Sequence, residues 1–213
     1  MTGRAFLPFR DAAAGRLRSE PATFAEPRAD LKGDHAFDPG ALAGTVLPPP
    51  RPAAVLVPVV TRPDEPTLIL TQRAAHLRSH SGQIAFPGGR VDPEDLSPVH
   101  AALREAEEEI GLDRRWVEPL GYLDAYLSGT NFFVMPVVAA VDPGFTLSVN
   151  PDEVAEAFEV PLAFLMDEAN HAIHSREWKG AMRRYYAIPF ADRYIWGVTA
   201  GILRNMYERL YAR

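Results

Sequence analysis

Cysteine is absent from all 213 residues, which excludes disulfides, thiolate nucleophiles and cysteine-ligated zinc together. Also missing is any apolar run approaching the ~20 residues of a membrane-spanning helix. Met1–Arg10 lacks the apolar centre of a secretory signal, so a cytoplasmic protein without membrane contact is expected. Positive charge is not in excess: 22 Lys and Arg stand against 28 Asp and Glu, a formal net charge of −6. That balance argues against nucleic acid as a partner. The six histidines are scattered without ligand spacing and no H-E-x-x-H occurs, which leaves histidine chemistry little support. What is present is a 47% hydrophobic share with 10% aromatics, enough to exclude disorder and to bury a core at this length.

Proline divides the chain. Residues 1–52 hold eight of the 20 prolines, including Pro48-Pro49-Pro50 and Pro52, and read as an extension with a short helix over Asp11–Ser19. Residues 53–213 read as one folded domain. Ala53–Val60 is a continuous apolar run of strand length, with Pro58 expected to mark its end or a bulge. Thr67–Arg73 is its expected hairpin partner. Further strands are expected at Trp116–Leu123, Phe133–Val141 and Val154–Val160, with a hairpin over 174–190 turning at Lys179-Gly180. Tyr194–Tyr211 carries Ile195, Val198, Ile202, Met206 and Leu210 at helical spacing. Tyr185, Tyr186 and Trp196 are expected in the core rather than as a platform for an adenine ring. Strands interleaved with helices give an α/β layered domain.

The negative charge has an address. The window 92–109 holds seven acids against Arg104 alone, so the remainder of the chain is neutral. Ser97 as N-cap, Pro98 at the first helical position and Gly111 beyond the last turn define a helix over 98–110. On a wheel of 100° per residue, Ala102, Leu103, Ala106 and Ile110 share the buried stripe. Glu105 and Glu109 then lie about 40° apart, with Glu108 about 60° from Glu105. Like charges so placed repel, and one arginine does not neutralise them. A solvated face is one reading of the run. A crowded set of oxygen ligands for a hard divalent cation, Mg²⁺ or Mn²⁺ rather than zinc, is the other. Gly88-Gly89 lies upstream, where the backbone can approach a ligand closely.

These residues resemble the Nudix hydrolases, whose pattern is G-x5-E-x7-R-E-U-x-E-E-x-G-U, with U a bulky apolar residue. Arg104-Glu105-Ala106-Glu107-Glu108-Glu109-Ile110-Gly111-Leu112 matches every fixed letter of its second half, Ala106 being small for its U position. Five residues lead from Gly89 to Asp95 in place of Glu, and eight separate Asp95 from Arg104, so the box is one residue long. Ile69-Leu70-Thr71-Gln72-Arg73-Ala74, followed by Arg78, Gly82 and Phe86-Pro87-Gly88-Gly89, is similar to the signature of the coenzyme A pyrophosphatase branch. Ile69 for the first Leu is the one departure.

The resemblance implies a Nudix-type α/β/α sandwich with a mixed β-sheet, and hydrolysis of the pyrophosphate of CoA and its derivatives to 3′,5′-ADP and 4′-phosphopantetheine or its acyl form. By position it implies Glu105 and Glu109 as metal ligands, with Glu108 a further or water-mediated one and the Gly89 carbonyl completing the shell. Arg104 would bridge acids. The general base is open between Glu105 and Glu153, the latter in Asn150-Pro151-Asp152-Glu153. Arg73, Arg78 and Gly88 are the candidates for substrate phosphates, the arginines because guanidinium matches phosphate bidentately. The alternatives are a Nudix hydrolase of ADP-ribose, NADH or a dNTP, and a catalytically silent Nudix-fold binding module. Oligomeric state is left open.

Overall fold

The computed structural model describes residues 8–24, 31–37, 48–77, 79–178 and 180–212. Eleven strands and four α-helices follow one another along them. In order these are α1 (Phe9–Ala13), β1 (Arg51–Val60), β2 (Thr67–Arg73), β3 (Ile84–Ala85), β4 (Gly88–Arg90), α2 (Pro98–Ile110), β5 (Val117–Tyr122), β6 (Tyr126–Leu127) and β7 (Phe132–Val141). After them come β8 (Val154–Pro161), α3 (Leu162–Leu165), β9 (Ala172–Trp178), β10 (Ala181–Phe190), β11 (Arg193–Trp196) and α4 (Val198–Leu210).

Eight strands form one mixed sheet in which β1 and β7 run parallel, Arg51 opposite Phe132 through Val60 opposite Val141. The other pairings are antiparallel. The side chains of β1 alternate between two cores, as strand geometry requires. Ala53, Val57 and Val59 join α4 and the small sheet β9–β10–β11 in one cluster. Ala54, Leu56 and Val60 join Ala102, Ala106 and Ile110 of α2 in the other. The sheet is therefore covered on both faces, an α/β arrangement with a mixed sheet as expected.

Pro58 does not end or bulge β1. Leu56 N–H donates to Pro87 on the β4 side, and residue 58, two along, faces the same way. There β4 has already left at Val55 and β2 begins only at Val59. The missing N–H thus falls in a gap and breaks no ladder bond. Two other expectations change. The N-terminal helix is Phe9–Ala13, stopped by Gly15 at φ 68°. The segment 194–211 opens as β11, and Gly197 at φ 62° turns it into α4; Ile195 happens to be in phase with the helical stripe but pairs with Ile188.

The described parts of the first 52 residues pack onto the domain. Phe9, Ala12 and Leu31 are buried, and Arg18 exchanges two backbone hydrogen bonds with Tyr122 of β5. An edge of the large sheet is thereby partly covered.

Candidate active site

The helix α2 forms where its signals place it. The Ser97 side chain accepts from His100 N–H, Pro98 opens the first turn, and Gly111 ends the helix at φ 64°. The apolar face is Ala101, Ala102, Ala106 and Ile110, all fully buried, with Leu103 only partly so. Small residues there let the helix lie close on β1, and Glu109 is carried below the surface with them, at 2% exposure.

The segment from β3 to β4 pairs first with β2 and then, after Phe86-Pro87, with β1 beside this helix. Gly88 has φ 154°, and a Cβ on it would strike the Ala54 carbonyl and the Val55 backbone; only glycine fits there. Its N–H donates to Glu109 Oε2 at 3.2 Å. A Cβ on Gly89 would overlap the Glu105 carboxylate. The glycine pair therefore lets backbone touch both carboxylates.

Glu109 has little else to hold its charge. Arg73 Nη1 lies 3.6 Å from Oε1, beyond ideal hydrogen-bond reach. Burial, with Glu105 and Glu153 adding repulsion, pushes the Glu109 carboxyl up to about 7 against the help of Gly88 and Arg73. Burial raises Glu105 as well, Arg104 opposing and Glu108 and Glu153 reinforcing it. Glu153 reaches this group because Asn150 N–H donates to the Glu109 carbonyl and Ala74 N–H to the Glu153 carbonyl. Those bonds clamp the loop before β8 between α2 and the end of β2.

Arg104 is the hub on the solvent side. Nε and Nη2 donate to Asp95 at 3.1 and 3.0 Å, Nη1 to Glu105 at 3.1 Å and Glu108 at 3.0 Å, and Nη2 also to the Arg90 carbonyl at 3.2 Å. The Asp95 side chain is 2% exposed. Arg104 holds its carboxyl well below the usual carboxylate range, with Asp92 N–H and His100 assisting against burial. Asp95, the acid that stands where the resembling pattern has Glu, is thus tied to Arg104 just ahead of the helix, which begins at Pro98.

The structure accordingly brings Glu105, Glu108, Glu109, Glu153, Arg73, Gly88 and Gly89 to one locality. Gly88 directs its N–H to Glu109 rather than outward, and Arg78 lies outside the described residues. Among the described residues no three His, Asp or Glu side chains converge into a ready-made metal cage, since Glu105 and Glu108 turn onto Arg104. The donor set still suits a hard cation: carboxylate oxygens, one of them buried with its charge under-compensated, beside backbone that glycine leaves bare. His100 on Asp95, at 2.9 Å, is a supporting contact that the sequence pattern does not single out. Tyr185 and Trp196, expected in the core, lie outside it, whereas Tyr186 packs against it.

Comparison with known proteins identifies the family. The NUDIX domain model matches residues 50–180. A Photorhabdus laumondii protein named uncharacterized Nudix hydrolase NudL is 41% identical over 172 residues, 77% of this chain and 91% of that one. Its Yersinia pestis namesake is 41% identical over 160 residues, 75% and 80% of the two chains. Among solved structures, a MutT/nudix family protein from Enterococcus faecalis is 16% identical with a TM-score of 0.47, over 81% of this chain and 67% of that chain. A C. elegans Ap4A hydrolase complex is 20% identical with a TM-score of 0.45, over 52% and 80%. No described helix is long and apolar enough to cross a membrane. With the family model covering most of the sheet and all of α2, this chain belongs to the Nudix family.

Proposed function

We infer that the protein is a divalent-cation-dependent pyrophosphatase of coenzyme A and its derivatives, releasing 3′,5′-ADP and 4′-phosphopantetheine or its acyl form. One observation carries the reading. Gly88 and Gly89, which end the signature stretch, lie against the acidic helix, Gly88 N–H donating to Glu109 and Gly89 close on the Glu105 carboxylate, and this contact supports reading the two motifs as one site.

Residues 53–213 then form the hydrolase domain and residues 1–52 an extension of it. Glu105 and Glu109 would hold the Mg²⁺ or Mn²⁺, with Glu108 and the Gly89 carbonyl as further donors. When bound, such a cation neutralises phosphate charge and lowers the pKa of water. The remaining work belongs to the chain. Arg73 sets a guanidinium beside Glu109, where a phosphate oxygen can take up its free N–H groups. Arg78, from the same signature, is assigned the same class of contact. Glu153, or Glu105, takes the proton as water oxygen bonds to phosphorus and the bridging P–O bond breaks, its electron pair leaving with the other phosphate. Arg104, tied to Asp95, limits how far Glu105 and Glu108 can swing. No cysteine or serine nucleophile is required, because phosphoryl transfer depends on positioning and electrostatics.

Incubation of the pure protein with CoA and Mg²⁺ or Mn²⁺, followed by product separation, tests this. The expected products are 3′,5′-ADP and 4′-phosphopantetheine. No cleavage with any divalent cation overturns the reading, and a higher kcat/KM for ADP-ribose, NADH or a dNTP transfers it to that substrate.

A further inference from the structure

Asp95 is held by more than its arginine. Its Oδ1 lies 3.1 Å from Arg104 Nε and 2.9 Å from His100 Nδ1. Its Oδ2 takes Arg104 Nη2 at 3.0 Å and Asp92 N–H at 2.9 Å. A carboxylate only accepts, so His100 carries a hydrogen on Nδ1 and donates it. The Asp92 contact is internal to the loop, since Asp95 N–H returns to the Asp92 carbonyl. The other ties of the carboxylate both go to α2, at His100 and Arg104, which stand four residues apart on one face of the helix.

His100 is the third residue after the cap Ser97, whose hydroxyl oxygen accepts from its N–H. A capping-box side chain at this place reaches back to the N–H of the cap. Here the imidazole reaches past the cap to Asp95. The second tie matters because Arg104 is shared. Nε and Nη2 serve Asp95, while Nη1 serves Glu105 and Glu108. With a single point of attachment, the Asp95 carboxylate and Arg104 would turn as one body, and the guanidinium would follow the two glutamates wherever they swing. Two points of attachment fix the carboxylate's orientation, so that Arg104 stays behind when Nη1 gives the glutamates up.

We propose that His100 is a positioning residue of this site: by holding Asp95 from a second point on α2, it keeps Arg104 in place and lets Glu105 and Glu108 pass to a divalent cation. The inference rests on the hydrolase reading for the role of those glutamates, but its test does not need turnover. Mn²⁺ alone is titrated by calorimetry into the wild type, His100→Ala, His100→Asn, Asp95→Ala and the double variant His100→Ala with Asp95→Ala. The His100 side chain is 37% exposed, so its loss opens no core cavity. His100→Ala weakens Mn²⁺ binding by about tenfold or more. His100→Asn, whose amide nitrogen stands as far along the side chain as Nδ1, stays within about threefold. In the Asp95→Ala background, His100→Ala adds less than about twofold, because the group through which it acts is gone.

If His100→Ala fails to fold, His100→Leu, which keeps bulk without the donor, takes its place; if Asp95→Ala fails, the loss in His100→Ala and its recovery in His100→Asn decide. Mn²⁺ affinity in His100→Ala within about twofold of the wild type overturns the proposal, and so does a loss of equal size in the Asp95→Ala background. With CoA as substrate, His100→Ala raises the Mn²⁺ concentration for half-maximal rate and leaves the KM for CoA at saturating Mn²⁺ unchanged. The two readings fail separately. CoA cleavage with Mn²⁺ affinity indifferent to His100 removes the positioning role and leaves the activity. Mn²⁺ affinity that depends on His100, without CoA cleavage, removes the activity and leaves the positioning role. A wild type that binds no Mn²⁺ overturns both.

Discussion

Asp95 and Arg104 are joined in parallel, Nε to Oδ1 at 3.1 Å and Nη2 to Oδ2 at 3.0 Å, with the carboxylate almost wholly out of solvent. This pair is the fixed point from which Arg104 reaches Glu105 and Glu108. Asp95→Asn removes the charge and leaves Arg104 without its buried partner. A loss of about 2 kcal/mol or more at neutral pH is expected in urea unfolding, with turnover down roughly 10–100-fold. The folded-state pKa of Asp95 is depressed, so its contribution is complete above the unfolded value of about 3.9. It is lost as pH falls from there through the folded value. The stability gap between wild type and variant should therefore be constant from pH 8 to about 5 and close below about 4.

Glu109 has the opposite sign. Its folded pKa is pushed up to about 7 from an unfolded value of about 4.3, so the folded protein holds a proton that the unfolded chain has released. Stability without a divalent cation falls as pH rises between those two values. Glu109→Gln carries no such proton. Its stability should be flatter across this window and equal or higher at pH 8, while turnover drops by at least about 100-fold. Thermal unfolding at pH 6 and pH 8, with and without Mg²⁺, checks both parts, since the cation should raise the wild-type Tm far more than that of the variant.

The two glycines should separate fold from chemistry. Gly88→Ala drives a methyl into the Ala54 carbonyl and the Val55 backbone at φ 154°, and about 2 kcal/mol or more of stability should go with it. Gly89→Ala meets only the end of the Glu105 side chain, which can swing away. Its Tm should change little while turnover falls about tenfold or more. Equal Tm losses in the two variants would contradict the geometry.

Glu153 and Glu105 are distinguished by pH. Should Glu153 take the proton from water, Glu153→Gln lowers kcat and flattens the acidic limb of the kcat profile, with cation affinity kept. Glu105→Gln instead weakens the cation response measured in the same assay. An unaltered acidic limb in Glu153→Gln assigns the proton to Glu105.

Legibility in the sequence followed the range of the physics. The cap at Ser97, the stop at Gly111 and the carboxylate spacing of α2 are local, and the structure has them where the residues put them. The partnership of β1 with β7 joins residues some eighty apart, and no local pattern specifies a parallel register. Nor did spacing show that Asp95 and His100 would meet, or that the loop at Asn150 would tie Glu153 to α2. Ile195 misled because one apolar residue can be in phase with a helix and still be a strand position. Trp196 and Tyr185 misled because aromatic rings also pack on one another outside a core, as these two do at 5.2 Å between centroids.

The segment from Ile84 to Arg90 is bonded at both ends, β3 to β2 and β4 to β1. The loop before it is closed by two bonds around Arg73, Arg73 N–H to the Gln83 carbonyl and Gly82 N–H to the Arg73 carbonyl. Beyond Ala74, whose N–H holds the Glu153 carbonyl, the loop closed by these bonds can thus change in chemistry without moving the glycines under Glu105 and Glu109. Inheritance can act on the two halves separately: a lineage can exchange what it recognises in that loop while its cleavage machinery is handed down intact.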